Sequence, residues 1–291
     1  MANTKHIQHI YEGAKPHMVG DGFRVSNLFP SGNRIGAQMN PFFLLDYAAP
    51  AYFPPTTRPR GVEEHPHRGF ETVTIAYEGA LEHRDSAGNK GKLLPGDVQW
   101  MTAASGILHE EKHETEFSKR GGKMEMAQLW VNLPAAAKSA APGYQNLTKE
   151  TIPVQQIDDN GSYIRVIAGE QNGVKGAAKT FTPIHVYDLQ LKAGSEVNIS
   201  LPEHFNTGLV VLKGAVNFNH THDAKGTQIA VFEKEGENIF IKAKEDASIL
   251  VLSGEPINEP VVAYGPFVMN TEEEIVQAIN DFNEGKMGVL A

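Results

Sequence analysis

Short apolar runs separated by glycine or proline recur along most of the chain. Runs such as FETVTIAYEG, KMEMAQLWVNL, NTGLVVLKGAVNFNH and NIFIKAKEDASILVLSG are β-branched or alternate apolar with polar positions. Alternation of this kind is typical of strands that bury one face, and turn residues separate the runs at short intervals. The pattern predicts an antiparallel all-β protein, either a sandwich or a barrel.

One segment near the C-terminus has helical spacing instead. Thr271 and Glu274 fit a T-x-x-E capping box, and Gly285 is a plausible stop. The apolar positions between them recur at helical spacing: Ile275, Ala278, Ile279 and Phe282. These features predict one amphipathic helix of about three turns, docked on a sheet face.

The stretch from 132 to 153 interrupts the strand pattern because it is rich in proline, alanine, serine and glycine. The halves on either side each carry a series of short strands, with a faint similarity between them. We therefore predict two tandem β-barrels, with domain boundaries at 1–140 and 150–265 and a helical tail at 266–291. Because tandem barrels bury each other, we expect a monomer.

Composition limits the chemistry that the chain can perform. It has 291 residues, enough for two domains, and no cysteine, which excludes thiolate nucleophiles, disulfides and iron–sulfur clusters. Any metal must therefore be held by nitrogen and oxygen. The net charge of −9 disfavours direct nucleic-acid binding. No apolar run is long enough to span a membrane and the N-terminus does not resemble a secretory signal, so we expect a cytoplasmic protein.

Two segments carry the candidate metal ligands. His65 and His67 share one face of a strand, as do His109, Glu111 and His113 of a second segment. If these strands pair, His65, His67, His109 and Glu111 could converge inside a barrel. An H-x-H pattern alone is weak, so surface residues at the mouth of a strand remain an alternative.

Other histidine patterns have competing interpretations. His220 and His222 also form H-x-H, but in a segment typical of an exposed turn. Residues 109–113 match H-E-x-x-H, which on a helix places two histidines around zinc, with Glu110 as the general base of a protease. Ser105 and Gly106 could start such a helix, so the local context leaves this alternative open.

Longer motifs make the chain resemble the pirin family of the cupin superfamily. They are H-P-H-R-G-F-E-T-V-T at 65–74, H-R-D-S-x-G-x-x-G at 83–91, P-G-D-V-Q-W-M-T-A-x-x-G-I-x-H-x-E at 95–111 and G-P-F-V-M-N-T-x-E-E-I at 265–275. The resemblance covers nearly the whole chain. It implies a bicupin, two antiparallel β-barrels of the double-stranded β-helix type with a C-terminal helix, and a mononuclear metal in the first barrel.

The resemblance also implies a ligand set. The family's metal ligands fall on His65, His67, His109 and Glu111, which disfavours the zinc-protease alternative and His113 as a ligand. In the wider cupin pattern the glutamate of the first motif binds metal, and that residue here is Glu71. We leave Glu71 as either a neighbour of the ligands or a solvated strand residue.

The second half has no comparable motif. Its histidines His185 and His204 are isolated, and no H-x-H there is followed by a distant histidine. We therefore expect no second metal.

The ligand set suits an oxygenase. Three imidazoles and one carboxylate leave roughly two open positions on a metal that prefers about six ligands, which favours Fe(II), with Mn, Co, Ni, Cu or Zn as alternatives. Some pirins resemble flavonol dioxygenases. That resemblance implies a quercetin-like substrate and O2, with Glu111 as the catalytic base and carbon monoxide as a product. Others resemble transcriptional co-regulators or modulators of metabolic enzymes, which implies a protein partner instead.

Several residues of the first half could shape a substrate cavity. The aromatic candidates are Phe42, Phe43, Phe53, Trp100 and Trp130. Each also fits ordinary barrel core, since large apolar side chains are mostly buried for packing. Arg58 and Arg60 could guard the mouth, although a solvated loop is the simpler interpretation.

Overall fold

The computed structural model describes residues 3–29 and 34–290, and strands dominate that part of the chain. The helices are α1 (Arg34–Met39), α2 (Thr115–Arg120) and α3 (Glu272–Asn283), with a 3-10 turn at Ala135–Ala137. The strands up to residue 147 are β1 (Ile7–Glu12), β2 (His17–Val19), β3 (Phe23–Phe29), β4 (Phe42–Phe53), β5 (Gly61–His67), β6 (Phe70–Glu78), β7 (Leu81–Asp85), β8 (Lys90–Leu93), β9 (Val98–Thr102), β10 (Ile107–His113), β11 (Gly122–Asn132) and β12 (Gly143–Leu147). The later strands are β13 (Val154–Gln156), β14 (Tyr163–Ala168), β15 (Glu170–Gln171), β16 (Val174–Lys175), β17 (Ile184–Leu191), β18 (Glu196–Ser200), β19 (Asn206–Lys213), β20 (Ala215–Phe218), β21 (His222–Lys225), β22 (Gln228–Phe232), β23 (Asn238–Ala243), β24 (Ala247–Gly254), β25 (Val262–Tyr264) and β26 (Phe267–Met269).

The chain forms two compact units, each assembled from separate segments. The first unit comprises Lys15–Asn27, Phe43–Lys149 and Ile257–Ala291, and the second comprises Met1–Ala14, Leu28–Phe42 and Glu150–Pro256. The expected ranges 1–140, 150–265 and 266–291 are continuous, whereas the N-terminal strand β1 pairs with β22, more than 200 positions away. Backbone pairing between distant segments is what makes the units discontinuous.

The first unit is a β-barrel built from two sheets. One has the order β12-β9-β6-β11-β4-β3-β2 and the other the order β5-β10-β7-β8. Side chains from the two sheets meet in the interior: Thr74 on β6 and Gln128 on β11 both reach Glu111 on β10. The inward face of the first sheet therefore carries the even-numbered positions of β6 and β11.

The second unit repeats this architecture with a different interior. Its sheets have the orders β1-β22-β19-β24-β17-β14-β13 and β18-β23-β20-β21. Aliphatic and aromatic side chains from both sheets fill the space between them, among them Leu189, Leu209, Val216, Ile239 and Ile249. Together the two units confirm the predicted all-β bicupin fold.

The predicted C-terminal helix is confirmed as α3. Thr271 accepts a hydrogen bond from the Glu274 backbone and the Glu274 side chain accepts one in return, which is the expected capping box. Ile275 and Ala278 are buried against Leu108 of β10, whereas Phe282 is 39% exposed. The helix therefore belongs to the first unit. No helix in the described ranges is long and apolar enough to cross a membrane.

The predicted connection at 132–153 is only partly irregular. Strand β12 lies within it and extends the sheet of the first unit by pairing with β9, Gln145 opposite Trp100. Its polar composition conceals an edge strand, which needs few apolar residues because one edge is unpaired.

Candidate metal centre

Three histidines converge where β5 pairs with β10. The antiparallel register places His65 opposite His109 and His67 opposite Ile107. One candidate ligand atom from each imidazole can be chosen so that all three lie within 4.8 Å of one another. Pairing of these strands thus produces the convergence that the sequence pattern predicted for these three residues.

The hydrogen bonds of the three rings leave nitrogen lone pairs available. His65 Nδ1 lies 2.8 Å from the Glu63 carbonyl and His67 Nδ1 lies 3.4 Å from the Pro266 carbonyl, so each Nε2 is left for another partner. Both ring nitrogens of His109 are buried without a hydrogen-bond partner among the described residues. A buried imidazole in that state is costly unless something binds it, which is what a metal ion would do.

Burial keeps His67 and His109 in the form that binds cations. Burial, followed by the neighbouring His65, holds the pKa of His67 well below its ordinary 6.5. Burial also holds the pKa of His109 well below 6.5, with further contributions from His67, His65 and His83. Both rings are therefore neutral at physiological pH, and neutral imidazole is the metal-binding form.

Glu111 follows His109 on β10 after a register shift. Its carboxylate accepts hydrogen bonds from Thr74 Oγ1 at 3.0 Å and from Gln128 Nε2 at 2.7 Å. The side chain thus lies in the barrel interior, fixed by two residues of the opposite sheet. Its assignment as a fourth metal ligand stays a prediction.

A fourth interior histidine, His83, is close to the group but differently bonded. Its Nε2 lies 3.2 Å from Asp85 Oδ2 and its Nδ1 lies 3.2 Å from Gln99 Nε2. Its ring is 5.5 Å from that of His109 and stacks on Tyr144 at 5.0 Å. Since both nitrogens are engaged, His83 supports the wall beside His109 and is poorly placed to bind metal. His83 is the first residue of the H-R-D-S motif, but the sequence analysis did not identify it as part of the site.

Glu71 lies on the opposite face of its strand from the histidine group. Gly69, with φ +88°, bends the chain between β5 and β6, and a Cβ there would meet the Val268 carbonyl at 2.0 Å. The inward positions therefore change from odd numbers on β5 to even numbers on β6. Glu71 is buried and accepts a hydrogen bond from Thr102, so neither expectation for it, a neighbour of the ligands or a solvated residue, is correct. Burial raises its pKa to about 7.

The zinc-protease alternative is wrong because its motif lies on a strand. Residues 109–113 belong to β10, and the proposed base Glu110 instead pairs with Arg84 at 2.6 Å. His113 donates through Nε2 to the Gly22 carbonyl at 2.8 Å and packs among Phe23, Phe53 and Phe117. It is thus a buried packing residue, consistent with its exclusion by the family resemblance.

The aromatic candidates separate clearly. Trp130 lies 5.3 Å from His67 and 4.3 Å from Phe70, measured between ring centroids, so it lines the interior near the histidines. Trp100 is fully buried on the other face of the sheet, opposite Val73 in register. Phe53 packs on His113. Phe70 was missed, and the signal that could have identified it is the change of face at Gly69.

The remaining candidates are unremarkable in position. Phe42 is fully buried and belongs to the second unit, while Phe43 is partly buried. Arg58 is 83% exposed at its side chain and pairs loosely with Glu63 at 3.6 Å. Arg60 donates to the Pro54 carbonyl at 2.9 Å. These arginines fit the solvated-loop interpretation.

Comparison with known proteins matches two regions of the chain to family models. Residues 22–131 match the pirin family model and residues 186–288 match the model of the pirin C-terminal cupin domain. The chain belongs to the pirin family. Within it, a Pseudomonas aeruginosa relative carrying the name "putative quercetin 2,3-dioxygenase" is 49% identical over 97% of this chain and 98% of its own.

Solved structures show the same fold. A crystal structure described as quercetin 2,3-dioxygenase from Acinetobacter baumannii matches with a TM-score of 0.96 and 51% identity, covering 98% of this chain and 99% of that one. A bacterial pirin from Escherichia coli, solved in complex with nickel(II), shares the fold with a TM-score of 0.66 at 20% identity, covering 86% of this chain and 100% of that one.

Proposed function

We propose that the chain is a metal-dependent dioxygenase of flavonols such as quercetin, which consumes one O2 and releases one carbon monoxide as the ring opens. The observation that carries the proposal is the compact group of His65, His67 and His109. Each of these rings has at least one nitrogen that no described residue engages in a hydrogen bond, and this nitrogen is available to a metal. A relative named "putative quercetin 2,3-dioxygenase" and a solved structure described as quercetin 2,3-dioxygenase both cover nearly the whole chain, which supports the same chemistry.

The chain's own residues suit the metal. His65, His67 and His109 would hold it, with Glu111 as the proposed fourth ligand. Imidazole and carboxylate ligands suit Fe(II), which we propose first, with Mn, Co, Ni, Cu or Zn as alternatives. When bound, the metal supplies Lewis acidity and, if redox-active, the electron transfer that a reaction with O2 requires.

Glu111 is the proposed catalytic base. A carboxylate oxygen accepts the proton of the flavonol 3-hydroxyl, which leaves the substrate as an anion and Glu111 protonated. Thr74 and Gln128 each hold one oxygen of this carboxylate. Each carboxylate oxygen has a second lone pair, so the acceptor remains competent while its direction is fixed.

The aromatic wall provides a surface for a planar substrate. Trp130 and Phe70 lie at 33° to one another with centroids 4.3 Å apart, and Trp130 is partly exposed. Flat aromatic ligands pack well against such rings, and an apolar wall also limits water near the reacting atoms.

The test combines metal analysis with an activity assay on one preparation. We expect about one equivalent of divalent transition metal per chain, with His65→Ala removing it. The protein should bleach the visible band of quercetin in air and release carbon monoxide, and it should do neither without oxygen. His222→Ala, which removes an exposed histidine of the second unit, serves as the matched control.

Two outcomes would contradict the proposal. Metal content unaffected by His65→Ala would reject the site. Absence of turnover with each of the six metals, with the metal still bound, would reject the dioxygenase and favour the regulatory alternative, in which a protein partner recovered by pull-down would be the expected finding. We propose a monomer for either role.

A further inference from the structure

Two neighbouring cross-strand pairs lie in the sheet that faces the histidine group. We call each pair, one residue of β6 and the residue of β11 opposite it, a rung. In the antiparallel register of β6 and β11, Thr74 lies opposite Gln128 and Thr72 lies opposite Trp130. All four are even-numbered positions and share the inward face. The first rung holds Glu111 through both of its side chains.

The second rung contains two buried polar atoms that lack a hydrogen-bond partner among the described residues. Thr72 is fully buried, and its hydroxyl has no hydrogen-bond partner in the described part of the chain. The same holds, within residues 3–29 and 34–290, for the indole Nε1 of Trp130. Buried polar groups in native proteins are nearly always paired, so two such atoms on residues that lie opposite each other in register indicate a partner from outside the chain.

The orientation of Trp130 agrees with this interpretation. The residue is partly exposed, whereas its Nε1 atom is shielded from solvent. The polar edge of the indole is therefore its inner edge. The ring itself contacts His67, with centroids 5.3 Å apart, so the indole adjoins the histidine group.

We propose that Thr72 and Trp130 form an oxygen-binding subsite beside the three histidines, selecting ligands with two adjacent ring oxygens. One oxygen, deprotonated, would lie where the three histidines would hold the metal. The neighbouring oxygen would accept a hydrogen bond from Trp130 Nε1. It would also accept one from the Thr72 hydroxyl if it is a carbonyl, or donate to that hydroxyl if it is itself a hydroxyl. This inference rests on the proposed binding of an oxygenated ring at that group. It assigns the second rung to specificity and leaves proton transfer to Glu111.

The test compares two probes that differ by one oxygen. Metal-loaded protein is titrated without oxygen with 4-nitrocatechol, which has two adjacent oxygens, and with 4-nitrophenol, which has one. We expect Trp130→Phe and Thr72→Val each to weaken 4-nitrocatechol binding on the order of tenfold, the usual effect of losing one buried hydrogen bond. Binding of 4-nitrophenol should stay within about twofold, and metal content should be unchanged.

Matched variants separate this role from a general packing effect. Trp100→Phe makes the same substitution on the opposite face of the sheet and should leave both probes unaffected. Thr72→Ser keeps the hydroxyl and should retain most of the 4-nitrocatechol affinity. Equal weakening of both probes, no weakening of 4-nitrocatechol, or no binding of it to the wild-type protein would overturn the subsite.

Failure of the proposed function would look different. If quercetin is not consumed in air but the two-oxygen probe still depends on Thr72 and Trp130, the subsite stands and the flavonol reaction does not. If quercetin is consumed but both probes are insensitive to these variants, the reaction stands and the subsite does not.

Discussion

Lys138 donates a hydrogen bond from Nζ to the backbone carbonyl of Val268, 2.8 Å away and 130 positions later in the chain. The same ammonium donates to the Gly69 carbonyl at 2.6 Å and to Asn132 Oδ1 at 2.7 Å. Burial lowers the pKa of Lys138 to about 8, so it stays charged at neutral pH. Lys138 therefore links Val268 of β26 to Gly69, which forms the bend between β5 and β6.

Replacing Lys138 should loosen His67 as well as the fold. Lys138→Met leaves three acceptors without their donor, which costs about 1–3 kcal/mol for each buried group left unpaired, partly offset because a buried charge is removed. We expect the free energy of unfolding to fall by about 2 kcal/mol. Metal should also be lost to a chelator roughly tenfold faster, since Pro266 and its neighbours orient His67.

The comparison variant is Lys192→Met, which removes an exposed lysine paired with Asp246 in the second unit. It should change neither urea unfolding nor the rate of metal loss. Wild-type chelation kinetics in Lys138→Met would show that this contact does not influence the metal centre.

Asp281 should govern the attachment of α3. It accepts a hydrogen bond from Arg68 at 2.6 Å, and this contact, followed by that from Lys286, holds the pKa of Asp281 well below its ordinary value. Asp281→Asn removes the charge, so we expect backbone amides of α3 to exchange hydrogen faster, on the order of fivefold, as local opening becomes easier. Glu272→Gln makes the same charge change at an exposed position of α3, and equal exchange in both variants would argue against a specific role for the pair.

Local sequence pattern was enough to predict the type of most secondary-structure elements. Period-two alternation predicted the strands, and the Thr271 capping box predicted α3, because both depend on residues close together in sequence. Parity also grouped His65 with His67, since they lie on one uninterrupted strand. The boundaries of the units depend instead on pairing such as that of β1 with β22, which no local pattern encodes.

Parity failed where a strand was interrupted. Period-two counting from His65 and His67 across Gly69 would place Glu71 on the same face as the histidines, but the positive φ of that glycine reverses the faces of the next strand. Phe70, Thr72 and Thr74 thereby became the inward residues. Gln128 was missed for another reason: an amide within an apolar run has no distinguishing spacing, and its role appears only when β11 is paired with β6.

Thr74 should affect turnover without affecting metal content. Its hydroxyl donates to Glu111 at 3.0 Å, and a buried hydrogen bond to a charged group contributes about 1.5–3 kcal/mol. Thr74→Val preserves shape but removes the donor, so we expect quercetin turnover to fall roughly ten- to hundredfold. Thr74→Ser keeps the donor and should retain most activity. A matching loss of metal in Thr74→Val would mean that this hydrogen bond supports Glu111 as a metal ligand, and the fall in turnover would then reflect the lost metal and not the base.

The metal-free protein should lose stability as the pH falls below about 6.5. Burial holds the pKa values of His67 and His109 well below 6.5 in the folded state, and lowers that of His113 in the same direction. In the unfolded chain these rings regain ordinary pKa values, so below pH 6.5 the unfolded state binds more protons than the folded state. The free energy of unfolding is therefore at its full value above that pH. It declines below that pH by up to about 1.4 kcal/mol per pH unit for each ring.

Urea titrations of chelator-treated protein between about pH 7.5 and 5.5 measure this slope, and His109→Gln should make it shallower by the contribution of one proton. His222→Gln removes an exposed ring and should leave the slope as it is. An unchanged slope in His109→Gln would show that this histidine can be protonated within the folded protein.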